Sequence, residues 1–252
     1  MALDETAFET LLLRLWPGVR EQCVGASPAE IQEFEDLSEQ TLPPFYRWFL
    51  QKMGRDLGSF RFPRLDFKIS TIMSKYRDGL VSVDPRYLLI AWHSDTAMPN
   101  HLFYDLEAEV RDDALVVQRQ VDGEIVENQF ETLREMLAWR TLLHYGVEMS
   151  ACVCRGTFTS ASSEPVSLLT PALEALGFET PVPTGNFCGL HERKDAAMVF
   201  SAAPDEIPAR FVAFHLGGAS EGQLRLILGT LGYETGIQVK INRWFLDNLN
   251  PP

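Results

Sequence analysis

The chain has 252 residues and is acidic, with 35 aspartate and glutamate side chains against 22 lysine and arginine side chains and a formal net charge of −13. Hydrophobic residues form 46% of the sequence and charged residues 23%, a composition typical of a globular protein with one large core or two smaller ones. A net negative field repels phosphate backbones and attracts basic surfaces. The composition therefore argues against a direct nucleic-acid partner.

The N-terminal segment and the cysteine content predict a cytoplasmic protein. Asp4, Glu5 and Glu9 stand where a secretory signal would carry positive charge. No run of the sequence approaches the ~20 apolar residues that span a bilayer, so we expect no membrane partner. Four cysteines are too few for a disulfide framework in a chain of this length, which indicates reduced thiols.

Three helices are predicted in the first part of the chain. The first covers residues 4–16, where large apolar side chains recur at helical spacing before a Pro-Gly pair. The second begins after Ser27, which forms a capping box with Glu30. The third starts at Pro44 and closes at Gly54, because proline stops the preceding helix and is tolerated in the first turn of the next one.

A series of strands is predicted next. Alternating Leu65, Phe67 and Ile69 indicate a short strand. Further strands are predicted at residues 87–92, 102–106, 116–121 and 125–130. The last two flank Asp122-Gly123, a pair that favours a two-residue hairpin turn. A helix from Phe130 to a stop at Gly146 completes this part of the chain.

The second part of the chain predicts a smaller α+β unit. Residues 150–164 are rich in small and hydroxylated side chains, which indicates a linker. Leu168–Thr180 and Leu224–Gly236 each predict a helix that ends in Leu-Gly-aromatic-Glu-Thr. Strands are predicted at residues 197–200, 210–214 and 237–241, which gives an α-β-β-α-β order and an antiparallel sheet. We therefore expect two domains, residues 1–149 and 165–252.

Charge divides unevenly at this predicted boundary. Residues 1–149 hold 25 acidic and 15 basic side chains, whereas residues 150–252 hold 10 and 7. The sequence thus assigns most of the acidic field to the first domain.

Seven residues form a pattern across the second and third predicted helices. They are Ile31 and Glu35, a corner at Leu42 and Pro43, and then Tyr46, Phe49 and Leu50. This pattern resembles the signature of the SMI1/KNR4 (SUKH) superfamily, and the resemblance extends over residues 5–146. Tyr104-Asp105 resembles a strand end of that family, and Glu39 stands where the family commonly has glycine.

The resemblance implies an α+β fold with helices packed on an antiparallel sheet, followed here by the smaller α+β unit. It also implies a binding role without catalysis or a cofactor. Bacterial members of the family look like immunity proteins that bind and neutralise a cognate toxin, and eukaryotic relatives look like regulatory scaffolds. Because this chain is acidic, we expect it to cover a basic surface of its toxin.

Six carboxylates are the expected contacts with this partner. They are Glu33, Asp36 and Glu39 on the outer face of the second helix, and Asp105, Glu107 and Glu109 after the Tyr-Asp pair. Solubilising surface charge is the alternative reading of each one.

Glu35 is expected to have a structural role. It stands one turn after Ile31 at the edge of the buried face, where a carboxylate requires partners. The free N–H groups that follow Thr41 lie close to it in sequence. We therefore predict that Glu35 braces the corner between the two helices. Tyr46, Phe49 and Leu50 are expected to pack against Ile31 and Phe34.

An enzyme with its site in residues 150–252 is the weaker alternative. Cys152-x-Cys154 and Cys188-x-x-His191 supply four zinc-compatible ligands, but only the second pair has the usual spacing, and we expect packed thiols rather than a metal site. His191 or His215 would need a converging carboxylate in a pocket to act in catalysis. The adjacent residues His93-Ser94-Asp95 point apart and form no triad, so no catalytic residue is predicted.

Overall fold

A computed structural model of the chain describes residues 2–60, 62–95, 100–121, 123, 125–161, 164–202, 204 and 210–246. The fold is α+β, and it divides into a first unit, residues 17–134, and a second unit, residues 2–16 with 135–252. Within these described ranges, no helix is both long and apolar enough to cross a lipid bilayer.

The helices and strands have the following bounds. The helices are α1 (Ala2–Leu15), α2 (Val19–Gln22), α3 (Pro28–Ser38), α4 (Pro44–Met53), α5 (Ile69–Arg77), α6 (Leu133–Thr141), α7 (Pro165–Ala175) and α8 (Glu221–Thr235). A π-helical segment, Leu142–Val147, continues α6. The strands are β1 (Leu65–Asp66), β2 (Tyr87–His93), β3 (His101–Val110), β4 (Asp113–Arg119), β5 (Ile125–Phe130), β6 (Cys152–Thr159), β7 (Cys188–Arg193), β8 (Ala196–Ser201), β9 (Phe211–Gly218) and β10 (Gln238–Leu246).

The sheet of the first unit is an antiparallel meander in the order β1-β2-β3-β4-β5. The predicted hairpin is confirmed as β4 paired with β5, with Val116 opposite Phe130 and Arg119 opposite Ile125. Five residues separate these strands, and Asp122 of the predicted two-residue turn lies outside the described residues.

Helices α3 and α4 form where local signals predict them. The Ser27 side chain accepts a hydrogen bond from the Glu30 N–H (3.3 Å), and the Glu30 carboxylate accepts one from the Ser27 N–H (2.8 Å), which confirms the capping box. The ring of Tyr46 on α4 contacts Phe34 on α3 and Tyr104 on β3, with centroid distances of 6.3 and 5.5 Å. The two helices therefore pack on the sheet through aromatic contacts.

The predicted strand at Leu65 to Ile69 is wrong beyond Asp66. Ile69 begins α5, whose buried residues Ile69, Ile72, Met73 and Tyr76 follow a helical spacing. Asp66 stabilises the turn that precedes α5, since its carboxylate accepts hydrogen bonds from the Lys68 N–H (2.9 Å) and the Thr71 hydroxyl (2.8 Å).

The second unit contains an antiparallel sheet in the order β10-β6-β9-β8-β7. Helices α7 and α8 cover one face and bury a core with it. The members of that core include Cys154, Phe158, Leu169, Leu173, Phe200, Phe214, Leu224 and Leu228. The π-helical segment packs against β8 and β9 and against α1.

This division of the chain differs from the predicted one in three places. Residues 152–159 of the predicted linker form β6, which pairs with both β9 and β10. Residues 2–16 and residues 135–149 of the predicted first domain belong to the second unit. The first unit consequently holds 20 acidic and 13 basic side chains and the second unit 15 and 9, so both units are acidic.

Candidate partner-binding surface

Glu35 joins the end of α3 to the start of α4. Its Oε1 atom accepts a hydrogen bond from the Leu42 N–H (3.0 Å) and also contacts the Arg47 guanidinium. Its carbonyl oxygen accepts from the N–H groups of Glu39 and Gln40, the latter at 3.3 Å. The predicted bracing contact is therefore confirmed.

The remaining residues of the pattern form the interior of this corner. Ile31, Leu42, Tyr46, Phe49 and Leu50 are buried, and Pro43 is half-buried. Side chains in these positions stabilise the packing of α3 and α4, so a partner would have to bind the residues around them.

The outer face of α3 is less negative than its sequence suggests. Glu33, a predicted contact, forms an ion pair with Arg77. Both carboxylate oxygens of Glu30 accept from Arg55 Nε at 2.9 Å, and this contact lowers the pKa of Glu30 to about 2. Asp36 is exposed, and its carboxylate accepts a hydrogen bond from the uncharged side-chain amide of Gln32 (3.0 Å).

Residues 77–84 lie alongside α3. The Arg77–Glu33 ion pair fixes one end, and a 3.1 Å hydrogen bond from Gln40 Nε2 to the Asp84 carbonyl oxygen fixes the other. The loop between these contacts exposes two apolar side chains, Leu80 at 49% and Val83 at 44%. An apolar patch therefore lies next to the acidic end of α3.

Hydrogen bonds connect Asp84, at the end of this loop, to Asp105 on β3 through Arg86. Its carboxylate accepts from the Arg86 N–H (2.9 Å), and Arg86 in turn donates to Asp105 from Nε (2.9 Å) and Nη2 (2.7 Å). This bidentate hydrogen bond raises the pKa of Arg86. Glu107 lies 3.5 Å from the same guanidinium, and 69% of its side chain is exposed.

The predicted contact Asp105 is wrong as a surface residue. Only 3% of its side chain is exposed, because it faces Tyr87 across the sheet and is enclosed by Arg86. Glu109 is exposed further along β3, and no hydrogen bond or ion pair between described residues joins it to the α3 side.

These contacts define the acidic surface of the first unit. Its members are Asp36, Glu39, Leu80, Val83, Asp84 and Glu107. Sequence reasoning missed Leu80, Val83 and Asp84, since they lie in a loop with no periodicity and their exposure depends on the path of α5 into β2.

Glu39 is held in a strained conformation. Its φ of 54° places it in the left-handed region at the end of α3, where glycine is the usual residue. A side chain in that region costs about 1–2 kcal/mol. Strained residues of this kind cluster at functional sites, so the retained carboxylate of Glu39 is a candidate contact.

The two zinc-compatible pairs lie on separate strands, Cys152 and Cys154 on β6 and Cys188 and His191 on β7. Cys154, Leu216, Met198 and His191 stand opposite one another in a row across β6, β9, β8 and β7. Three strand spacings separate Cys154 from His191, about 14 Å. Burial also raises the pKa of the Cys154 thiol to about 12, which keeps it protonated.

The histidines of the second unit do not line its cleft of about 380 Å³. Residues Arg14, Gly146, Glu192, Asp195 and Gly218 are among those that do. His191 contacts Thr180 (3.3 Å), and His215 stands opposite Arg155 in the sheet.

Several ionisable groups titrate outside their ordinary range because they are buried. Burial lowers the pKa of His101, His191 and His215 to about 4. Burial also raises the pKa of Asp113 to about 6, against the opposing effects of the Tyr104 hydroxyl and the Arg134 guanidinium. These groups affect how stability depends on pH.

Comparisons with known proteins give no match: no family model, no curated protein and no solved structure matches the chain.

Proposed function

We propose that the chain is a non-catalytic binding protein of the SUKH type that acts as an immunity protein and neutralises a cognate toxin. The carrying observation is the acidic surface, where exposed Leu80 and Val83 lie in the loop that a hydrogen bond from Gln40 to the Asp84 carbonyl oxygen joins to the end of α3, next to Glu39. Specific interfaces combine an apolar centre with a polar rim in this way. The acidic surface would cover a basic groove on the toxin.

Electrostatics favour a basic partner. Both units carry net negative charge, so long-range attraction would speed the encounter. The carboxylates of the acidic surface would then select the orientation, since complementary charge contributes more to association rate and specificity than to affinity.

The seven-residue pattern supports the proposal indirectly. Its members form the interior of the α3–α4 corner, which leaves neighbouring exposed positions such as Asp36 and Glu39 to vary with the partner. A regulatory scaffold would use the same surface for a host protein. The identity of the partner separates these two roles.

Co-expression with the product of a neighbouring gene, scored for toxicity and its rescue, tests the proposal. We expect rescue of growth and a stable complex with the toxin. Glu39→Lys and Glu107→Lys should each slow association at low salt by about tenfold or more, whereas Glu174→Lys, the same charge change at an exposed position on α7, should not.

Two outcomes would contradict parts of this proposal. Failure of the chain to rescue growth or bind the toxin would reject the immunity role. A complex that forms normally with both Glu39→Lys and Glu107→Lys would reject the acidic surface as its binding site.

A further inference from the structure

Helix α8 carries a stripe of four exposed residues, Gly222, Leu226, Gly229 and Tyr233, which we call the α8 stripe. At the α-helical repeat these positions fall within a sector of about 60°. The buried residues of α8 lie on the opposite side; they are Leu224, Ile227, Leu228 and Leu231. The stripe therefore faces away from the core of the second unit.

The large residues of the stripe are unusually exposed. Tyr233 is 85% exposed and Leu226 71%, the two highest values for large apolar side chains in the described part of the chain. Contiguous exposed apolar side chains of this kind mark interaction surfaces.

Neither packing nor backbone conformation within the unit requires glycine at positions 222 and 229. A Cβ atom added at Gly222 or Gly229 would meet no atom within 4 Å, and neither residue has a positive φ. Glycine inside an exposed helix is less stable than alanine. A close approach by another helix would explain both glycines.

The large and small residues of the α8 stripe are placed so that two antiparallel copies of the stripe are complementary. Positions 226 and 229 are symmetric about the point between residues 227 and 228, and so are positions 222 and 233. A second α8 placed antiparallel about a twofold axis at that point brings Leu226 opposite Gly229 and Tyr233 opposite Gly222. Every large side chain then meets a glycine gap.

We propose that the α8 stripe is an isologous interface at which two copies of this chain pack with antiparallel α8 helices. Leu226 and Tyr233 together expose roughly 300 Å² per copy. With the flanking positions, the pair would bury about 1,000 Å², which is just below the range of about 1,200–2,000 Å² for stable interfaces. The dimer is therefore weak, with a dissociation constant in the range of about 10–100 μM.

The net charge of the chain makes the dimer depend on ionic strength. Each copy carries a formal net charge of −13, so two copies repel each other when salt is low. Because salt screens exposed like charges, the dimer should strengthen as ionic strength rises.

Sedimentation velocity on the full chain tests the proposed dimer. Protein concentrations from about 1 to 300 μM extend below and above the expected dissociation constant of about 10–100 μM. We expect a shift to twice the monomer mass over this range, and at least a tenfold weaker association for Gly229→Leu, which fills the gap. The same substitution should keep or raise the melting temperature, since leucine favours a helix and meets no atom there. Leu226→Ala should weaken association, and Met149→Ala, at an exposed position off the stripe, should not.

Cysteine cross-linking tests the register. In a Cys23→Ser background, Gly222→Cys and Tyr233→Cys chains should cross-link when mixed, with a thiol reagent no longer than the helix spacing of about 8–10 Å. Tyr233→Cys alone should not, because its two copies would lie about 16 Å apart along the axis. A monomer mass at all concentrations would overturn the dimer, and cross-linking of Tyr233→Cys with itself would overturn the antiparallel register.

Discussion

Replacing Glu35 with alanine is expected to lower the free energy of unfolding by about 2 kcal/mol. The substitution leaves the Leu42 N–H, now bonded to Glu35 at 3.0 Å, without its acceptor beside a buried corner. Loss of a charge-assisted hydrogen bond costs about 1.5–3 kcal/mol. The Arg47 ion pair adds about 0.5 kcal/mol, because 39% of the Arg47 side chain is exposed and solvent screens the pair.

Urea denaturation of the full chain measures this effect. For a slope of about 2 kcal/mol per molar urea, the midpoint should fall by about 1 M. Glu35→Gln retains a neutral acceptor for the Leu42 N–H and should lose only about 0.5–1 kcal/mol. Arg47→Ala is the matched control and should change the midpoint little.

Two results would refute this reasoning. An unchanged midpoint for Glu35→Ala with loss of partner binding would show that Glu35 is a contact residue and not a brace. Equal losses for Glu35→Ala and Arg47→Ala would show that the ion pair, rather than the backbone hydrogen bond, stabilises the corner.

Three further predictions concern strain, burial and close packing. Glu39→Gly should raise the free energy of unfolding by about 1 kcal/mol, because glycine adopts a positive φ without strain. The same substitution should weaken binding to the proposed partner, and an unchanged midpoint of urea denaturation would contradict the assigned strain. Asp113 has a pKa raised from 3.8 to about 6, so the folded state retains a proton that the unfolded state has released, and stability falls as pH rises through this window. Relative to Asp113→Asn, the free energy of unfolding of the wild type should fall by up to about 3 kcal/mol between about pH 4 and pH 6. The buried histidines make stability rise with pH in both proteins, so their effect cancels in the difference. Parallel plots of unfolding free energy against pH for the two proteins would contradict this prediction. Gly189→Ala would place its Cβ 2.1 Å from the fully buried ring of Phe200 and should cost about 1–3 kcal/mol in thermal unfolding, whereas a neutral change would show that the ring can move.

The parts of the fold that follow from local signals were predictable. The capping box at Ser27 and the proline at position 44 set the starts of α3 and α4, and both depend on atoms within a few residues. By contrast, the alternation at Leu65, Phe67 and Ile69 fits a strand as well as the approach to a helix. The helical spacing of the buried residues from Ile69 onward favours α5, and the three alternating residues alone do not contain that spacing.

Strand β6 shows how tertiary contacts override composition. Its small and hydroxylated residues are typical of a linker, yet its Gly156 leaves room for the Phe214 ring, which would lie 2.7 Å from a Cβ atom there. Cys154 and Phe158 enter the core on the same face. The partner strands β9 and β10 begin more than 50 residues away, so no local window contains the reason for this strand.

The acidic surface required the structure for a similar reason. The sequence around Asp105 predicts an exposed carboxylate, and only the structure shows that Arg86 binds and covers it. Leu80 and Val83 have no sequence pattern that predicts their exposure. A count of charges along the chain finds the acidic residues but not the arginines that neutralise them.

Ion pairing on α3 therefore changes where a basic partner would be attracted. Glu30, Glu33 and Glu35 each contact an arginine from the following segment. Exposed pairs of this kind contribute little stability, but they cancel charge within a Debye length of about 8–10 Å. The remaining negative potential then lies at Asp36 and Glu39 and at Glu107, which shares the single positive charge of Arg86 with Asp105. Reversing the charge of Glu39 or Glu107 should therefore affect association with the proposed basic partner more than reversing Glu33, which has Arg77 to itself.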